Sequence, residues 1–223
     1  MAFLKDECSR FPLTDGIITS CHPFSCGDKD LDEFFCRDYA DYQKQLMGKT
    51  YVFIDESTLK DIVCAFTVSN ASIFTNFLPN ARKKKVGKDV PLAKRDLIYP
   101  AVLIGRLGVN QKYLHRHVGT ELMSTIKDWF IDKDNKTGCR YLVVDAYNRA
   151  EPCEYYRRNG FSFMFSTEEQ EKEYRNITAD GPLKRLCENR APRASFARGL
   201  LRQIRKYAII QMFTKRQRSL LVG

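Results

Sequence analysis

Residues 103–129 read LIGRLGVNQKYLHRHVGTELMSTIKDW. An apolar strand pattern runs out into NQKYLHRH, and Gly119 stands where an amphipathic helix begins. Leu122, Met123, Ile126, Trp129 and Phe130 share one stripe of that helix, the spacing of a face packed on a core. The first N–H groups of a helix have no internal partner, and the dipole there favours negative charge. A glycine lets a phosphate approach the backbone, and the Arg116 guanidinium adds a charged fork. Strand, turn and helix together predict an α/β protein with an anion site at the helix start, where the chain runs from Arg116 to Thr120.

Working outward, strand-like runs lie at 16–20, 50–55, 62–69, 101–109, 139–147 and 161–165. Helical patterns lie between them, at 30–46, 119–133 and 151–161. The stretch ARKKKVGKDVPLAKRD (81–96) lacks periodicity and reads as a solvated loop. Within 151–161, Asn159-Gly160 supplies the helix stop.

The chain of 223 residues, 43% hydrophobic, suffices for one well-cored domain with an appendage. No apolar run is long enough to span a membrane, and acids interrupt the N-terminal stretch MAFLKDECSRF where a secretory leader would be apolar. The eight cysteines are scattered without a C-x-x-C pair, which argues against zinc or a redox centre and fits reduced thiols in a cytoplasm. The net charge of +10 is uneven: residues 1–180 carry 26 bases and 26 acids, whereas 181–223 carry eleven bases and only Glu188. We therefore expect a neutral body (1–180) and a basic extension (181–223), the latter suited to a polyanionic partner.

Three stretches resemble the GNAT N-acetyltransferases. VLIGRLGVNQKYLHRHVGTELM is similar to their acetyl-CoA motif, a strand followed by Q/R-x-x-G-x-G/A at a helix start. EYYRRNGF is similar to their second signature, an F/L-Y pair, three spacers, then Gly-Phe. FSCGDKDLDEFF (24–35), together with GRLGV, resembles the toxin-like branch, whose members acetylate aminoacyl-tRNA and pair with an antitoxin. The resemblance covers roughly residues 10–165. It implies a mostly antiparallel, splayed sheet flanked by helices, with acetyl-CoA as cosubstrate and no metal.

By this resemblance, the strand at Leu107, Gly108 and Val109 offers its backbone to pantetheine, and Arg116, His117, Val118, Gly119 and Thr120 wrap the pyrophosphate. Asn148 contacts the pantetheine arm. Tyr156 protonates the leaving thiolate, a task suited to a phenol of pKa about 10 facing a thiol near 8.5. By residue type alone, Tyr156 and Tyr155 both read as core aromatics. The match is incomplete. Leu114 and His117 stand at the Q/R and first-glycine positions, Glu121 brings a carboxylate near the helix start, and Arg149 replaces an expected asparagine.

The strand AVLIGRLGV holds no carboxylate to act as base. Such a site favours an α-amine near pKa 8 over a lysine amine near 10.4, since the former is already partly neutral. His22, His115 and His117 read as surface loop residues. In the extension, a helix over 193–213 would place Arg198, Arg202, Arg205 and Lys206 opposite an apolar side. That helix could face RNA, lie inert in water, or rest on a membrane surface. Two function classes follow. One is an acetyltransferase acting on aminoacyl-tRNA, or on a protein or small amine. The other is a non-catalytic acyl-CoA or RNA-binding module. An antitoxin partner and a homodimer are compatible with both.

Overall fold

Strand-forming residues concentrate where the chain enters one sheet. In the computed structural model the described residues are 3–76, 78–88, 90, 98–165, 167, 169–171 and 183–189. Strands β1 (Cys8–Pro12), β2 (Lys49–Asp55), β3 (Ile62–Phe74), β4 (Ile98–Val109), β5 (Tyr141–Tyr147), β6 (Ser162–Phe163) and β7 (Leu183–Asn189) line up as β1-β2-β3-β4-β5-β7-β6. Among the described residues, only the β4–β5 pair is parallel. It needs a crossover, which helix α6 (Val118–Ile131) provides. The mixed, mostly antiparallel α/β architecture agrees with the expected fold class.

Alternation along the strands gives the sheet two apolar faces. Phe53, Phe66, Val102, Ile104, Leu142 and Val144 pack with Leu122, Met123 and Ile126 of α6. Val52, Ile54 and Ala65 face the other way and meet Phe34, Phe35 and Tyr39. The latter come from one helical passage: α3 (Lys29–Glu33), a π-helical turn Phe34–Asp38, and α4 (Tyr39–Lys44). The stripe predicted over 30–46 is therefore helical, with a π-turn inside it.

Four readings change. Residues 16–20 belong to helix α2 (Asp15–Ser20), not a strand, because the Thr14 side chain caps it by accepting from Ile17 N at 3.3 Å. Part of the lysine-rich stretch forms helix α5 (Asn80–Val86), which buries Val86. Strand β1 carried no alternation to announce it. Strand β7 lies beyond residue 180 yet pairs along β5 from Tyr141 to Tyr147, so residues 183–189 belong to the sheet rather than to a helical extension. Arg198, Arg202, Arg205 and Lys206 lie outside the described residues. No helix among the described residues is long and apolar enough to cross a membrane.

Candidate active site

The β3–β4 register slips at Thr67/Val68, which leaves Gly105 as an extra residue in β4. Before this bulge, Ala101–Ile104 pair with Tyr141–Val144 of β5; after it, β4 pairs only with β3. Among the described residues, the edge of β4 from Gly105 to Val109 is thus unpaired on the β5 side. The two strands splay, and a cavity of about 480 Å³ opens beside Leu107 and Val109. Its other walls are Tyr113, Leu114 and His115, the start of α6 from His117 to Thr120, and Tyr155.

The turn into α6 is unusual in backbone and in hydrogen bonding. His115 and His117 have φ of 61° and 59°, left-handed values that side chains with a Cβ seldom adopt. Among the described residues, the backbone N–H groups from His115 to Gly119 make no hydrogen bond, while Thr120 N and Glu121 N both donate to the His117 carbonyl. A run of free N–H donors at the start of a 14-residue helix is an anion cradle in its physics.

Tyr113 anchors this turn from below. Its hydroxyl, fully inside the protein, lies 2.9 Å from Asp55 Oδ2 and 3.1 Å from Asp61 Oδ2. Asp61 also accepts from Lys112 Nζ and sits 2.8 Å from His22 Nδ1. The bonds from Lys112 and His22 hold its carboxyl down at about 2. Asn110 fixes the other end, donating to the carbonyls of Val63 and Ile62, both at 2.9 Å.

Helix α7 (Ala150–Arg158) brings Tyr155 into the cavity wall, whereas the adjacent Tyr156 is not among the lining residues. Tyr155 donates to the Gly119 carbonyl at 2.7 Å, and a Cβ added at Gly119 would lie 3.2 Å from its ring. A larger residue here would press on the Tyr155 ring, which would have to give by a few tenths of an ångström. Tyr156 packs edge-on against Tyr155 and Phe161, and its hydroxyl has no partner among the described residues. Burial raises its pKa above the usual phenol range.

The predicted residues are distributed unevenly. Leu107, Val109, His117, Val118, Gly119 and Thr120 line the one cavity. Gly108 faces the sheet's other side, where an added Cβ would lie 3.1 Å from Cys26 Sγ. Arg116 is exposed, its guanidinium 5.5 Å from the Tyr113 ring centroid. Asn148 is exposed in the bend between β5 and α7, outside the cavity wall. Glu121 turns away from the helix start, accepting from Leu4 N of α1 (Phe3–Asp6) at 2.8 Å.

The FSCG stretch supports β4 from behind. Asp32 accepts from Cys26 N at 2.6 Å and from Ser25 Oγ at 2.7 Å, and Gln111 N donates to Ser25 O at 2.9 Å. Burial opposes charge on Asp32, but these bonds outweigh it and keep the carboxyl below its usual range. Burial pushes the Cys26 thiol up to about 12, which unsuits it as a nucleophile. Sequence reasoning missed Tyr113 and Tyr155 as site residues. Tyr155 had one available signal, its place beside Tyr156 in the second signature; Tyr113 had none, because its carboxylate partners lie 58 and 52 residues away. Among the described residues no group of three His, Cys, Asp or Glu could hold a metal ion.

No protein-family model matches the chain. Solved structures do. A tyrosine-to-phenylalanine mutant of KacT aligns at TM-score 0.56 and 16% identity, covering 83% of this chain and 96% of that one. AtaTR bound with AcCoA aligns at 0.54 and 15%, covering 83% and 94%. AtaT complexed with acetyl-methionyl-tRNAfMet aligns at 0.56 and 15%, covering 82% and 95%. The chain has the GNAT fold of these proteins.

Proposed function

We propose that this protein is an acetyl-CoA-dependent N-acetyltransferase whose acceptor is the α-amine of an aminoacyl-tRNA. The observation that carries the reading is the alignment, within one cavity, of the free N–H groups from His115 to Gly119 with the unpaired edge of β4. The first suits a pyrophosphate, the second suits the amides of pantetheine, and the two occur in the order that acetyl-CoA presents them. In this reading the acceptor nitrogen bonds the acetyl carbon as the carbon–sulfur bond breaks. Tyr156 gives its proton to the departing thiolate, and the amine releases one to water. The hydroxyl of Tyr156, without a partner among the described residues, supports that role; the Tyr155 hydroxyl is already committed to Gly119.

Likeness and chemistry support this acceptor. One structural neighbour, AtaT, is complexed with acetyl-methionyl-tRNAfMet. Among the described residues no carboxylate lines the cavity, which favours an amine that is partly neutral without help. The basic residues after 180 supply an attraction for RNA. An AtaT mutant is bound to the C-terminus of the antitoxin AtaR, so an antitoxin is the protein partner to seek.

Thiol release from acetyl-CoA, with and without charged tRNA, tests the proposal. Release that depends on the aminoacyl group supports it. Release with peptide amines alone replaces the acceptor, and acetyl-CoA binding without any release makes the protein a non-catalytic module. Changing Arg198, Arg202, Arg205 and Lys206 to Glu should weaken transfer to tRNA more at low salt than at high salt. Equal transfer at every salt concentration would remove that segment from acceptor recognition.

A further inference from the structure

A second cavity, of about 490 Å³, lies between α5 and the end of α7. Its walls carry Arg82, Arg157 and Arg158, and Phe161 and Phe163 supply apolar surface. The acid in the wall, Glu154, already pairs with Arg157 and Arg158 at 3.1 Å each. Both arginine side chains nonetheless remain largely exposed, at 60% and 77%, with guanidinium donors to spare. Lys85 of α5 reaches Ser162 at 3.2 Å, and Lys83 and Lys84 precede it on that helix. Residues 1–180 are neutral in sum, so this concentration of cations is a local feature and not part of a generally basic surface.

The groove and the acetyl-transfer cavity share a helix. Tyr155 of α7 lines the first cavity, and Arg157 and Arg158 of the same helix line the second. Phe161, in the groove wall, packs against the Tyr156 ring with centroids 5.6 Å apart. A ligand in the groove would therefore lie beside the helix that carries the proposed acid.

We propose that this groove grips the single-stranded end of an RNA, with Arg82, Arg157 and Arg158 on its phosphates and a base against the phenylalanine and guanidinium surfaces. Cationic grooves with interleaved π surfaces bind single strands this way, since every base has a face to stack. The volume lies within the range of roughly 300–1,000 Å³ that accepts a nucleotide-sized ligand. An acidic peptide would use the charges but leave the apolar wall uncovered. The inference rests on the aminoacyl-tRNA reading for its biological sense, and its test is independent of acetyl transfer.

The test is fluorescence anisotropy of the full chain with a short, uncharged, single-stranded oligoribonucleotide, without acetyl-CoA, across a salt series. The triple variant Arg82→Gln, Arg157→Gln, Arg158→Gln should bind at least about tenfold more weakly at low salt, with a log–log salt slope flatter by roughly two units. Its acetyl-CoA affinity by calorimetry should equal the parent's, which shows that it folds. If the triple variant loses that affinity, Arg158→Gln alone decides, with an expected slope change of about 0.7. An unchanged RNA slope in the folded variant overturns the groove and leaves the acetyltransferase reading standing. Binding of polyglutamate, but not RNA, that depends on these arginines also overturns it, in favour of an acidic protein partner. Arginine-dependent RNA binding without acetylation of charged tRNA keeps the groove and removes the acceptor reading.

Discussion

The hydroxyl of Tyr155 donates to the Gly119 carbonyl at 2.7 Å, and this bond fastens α7 to the first turn of α6. Tyr156, its neighbour, has no such commitment among the described residues. The two tyrosines should therefore respond differently to loss of the same atom. Tyr155→Phe should cost about 1 kcal/mol of stability and weaken acetyl-CoA binding, since the helix start loses a brace. Tyr156→Phe should leave that affinity unchanged and lower turnover by about 10²–10⁴-fold. Calorimetry and steady-state kinetics on both variants check the contrast. Full turnover in Tyr156→Phe would make that ring a packing residue.

His117 occupies the position where the resembled motif has glycine, and its φ of 59° is the conformation that glycine accepts without strain. His117→Gly should therefore keep acetyl-CoA affinity, with relief of the left-handed strain, worth about 1 kcal/mol, offset in part by glycine's greater unfolded entropy. Denaturant unfolding and calorimetry measure both effects. A large loss of affinity would assign the imidazole a direct contact with the ligand.

How much of this was legible beforehand follows from the range of each interaction. The β4–α6 turn was readable because strand, turn and helix are contiguous, and the cavity wall from His117 to Thr120 lies where the pattern put it. Residues 16–20 were misread because Ile17 and Ile18 resemble a strand, whereas one side-chain cap at Thr14 decides for helix. The β7 strand was hidden by the basic composition around it, its place being fixed by pairing with β5 some forty residues earlier. The Tyr113–Asp55–Asp61 cluster is the extreme case, since nothing local marks residues joined only by tertiary contact.

Asp61 makes a pH prediction with a definite sign. Bonds from Lys112 and His22 depress its carboxyl from 3.8 to about 2 in the folded protein. The folded state therefore binds fewer protons, and the stabilisation is fully present above the unfolded value. It is lost as pH falls from about 4.5 through about 2, and amounts to roughly 2 kcal/mol. Asp61→Asn should be destabilised at pH 6 and should show a shallower loss between pH 4.5 and 2. Unfolding midpoints across that range measure it. Parallel curves for parent and variant would remove Asp61 from the acid response.

Glu121 provides the last test, because sequence and structure give it opposite characters. Read along the chain, its carboxylate stands in the first turn of α6 and should repel a pyrophosphate. In the fold it accepts the N–H of Leu4 at 2.8 Å, which binds α1 against α6. Helix α1 in turn supports the turn, since Phe3 stacks on Tyr113 with centroids 5.7 Å apart. Glu121→Gln preserves an acceptor oxygen and removes the charge; Glu121→Ala removes both. If the carboxylate serves α1, Glu121→Gln should match the parent in stability and in acetyl-CoA affinity. Glu121→Ala should then lose about 1–3 kcal/mol, because the buried Leu4 N–H is left without its partner. If repulsion governs instead, both variants should bind acetyl-CoA more tightly, and the gain should shrink as salt screens the charge. Calorimetric titration of the three proteins at low and high salt, with unfolding curves beside it, separates the two. Equal affinities for parent and Glu121→Gln at low salt would leave α1 as the reason for a glutamate at this position.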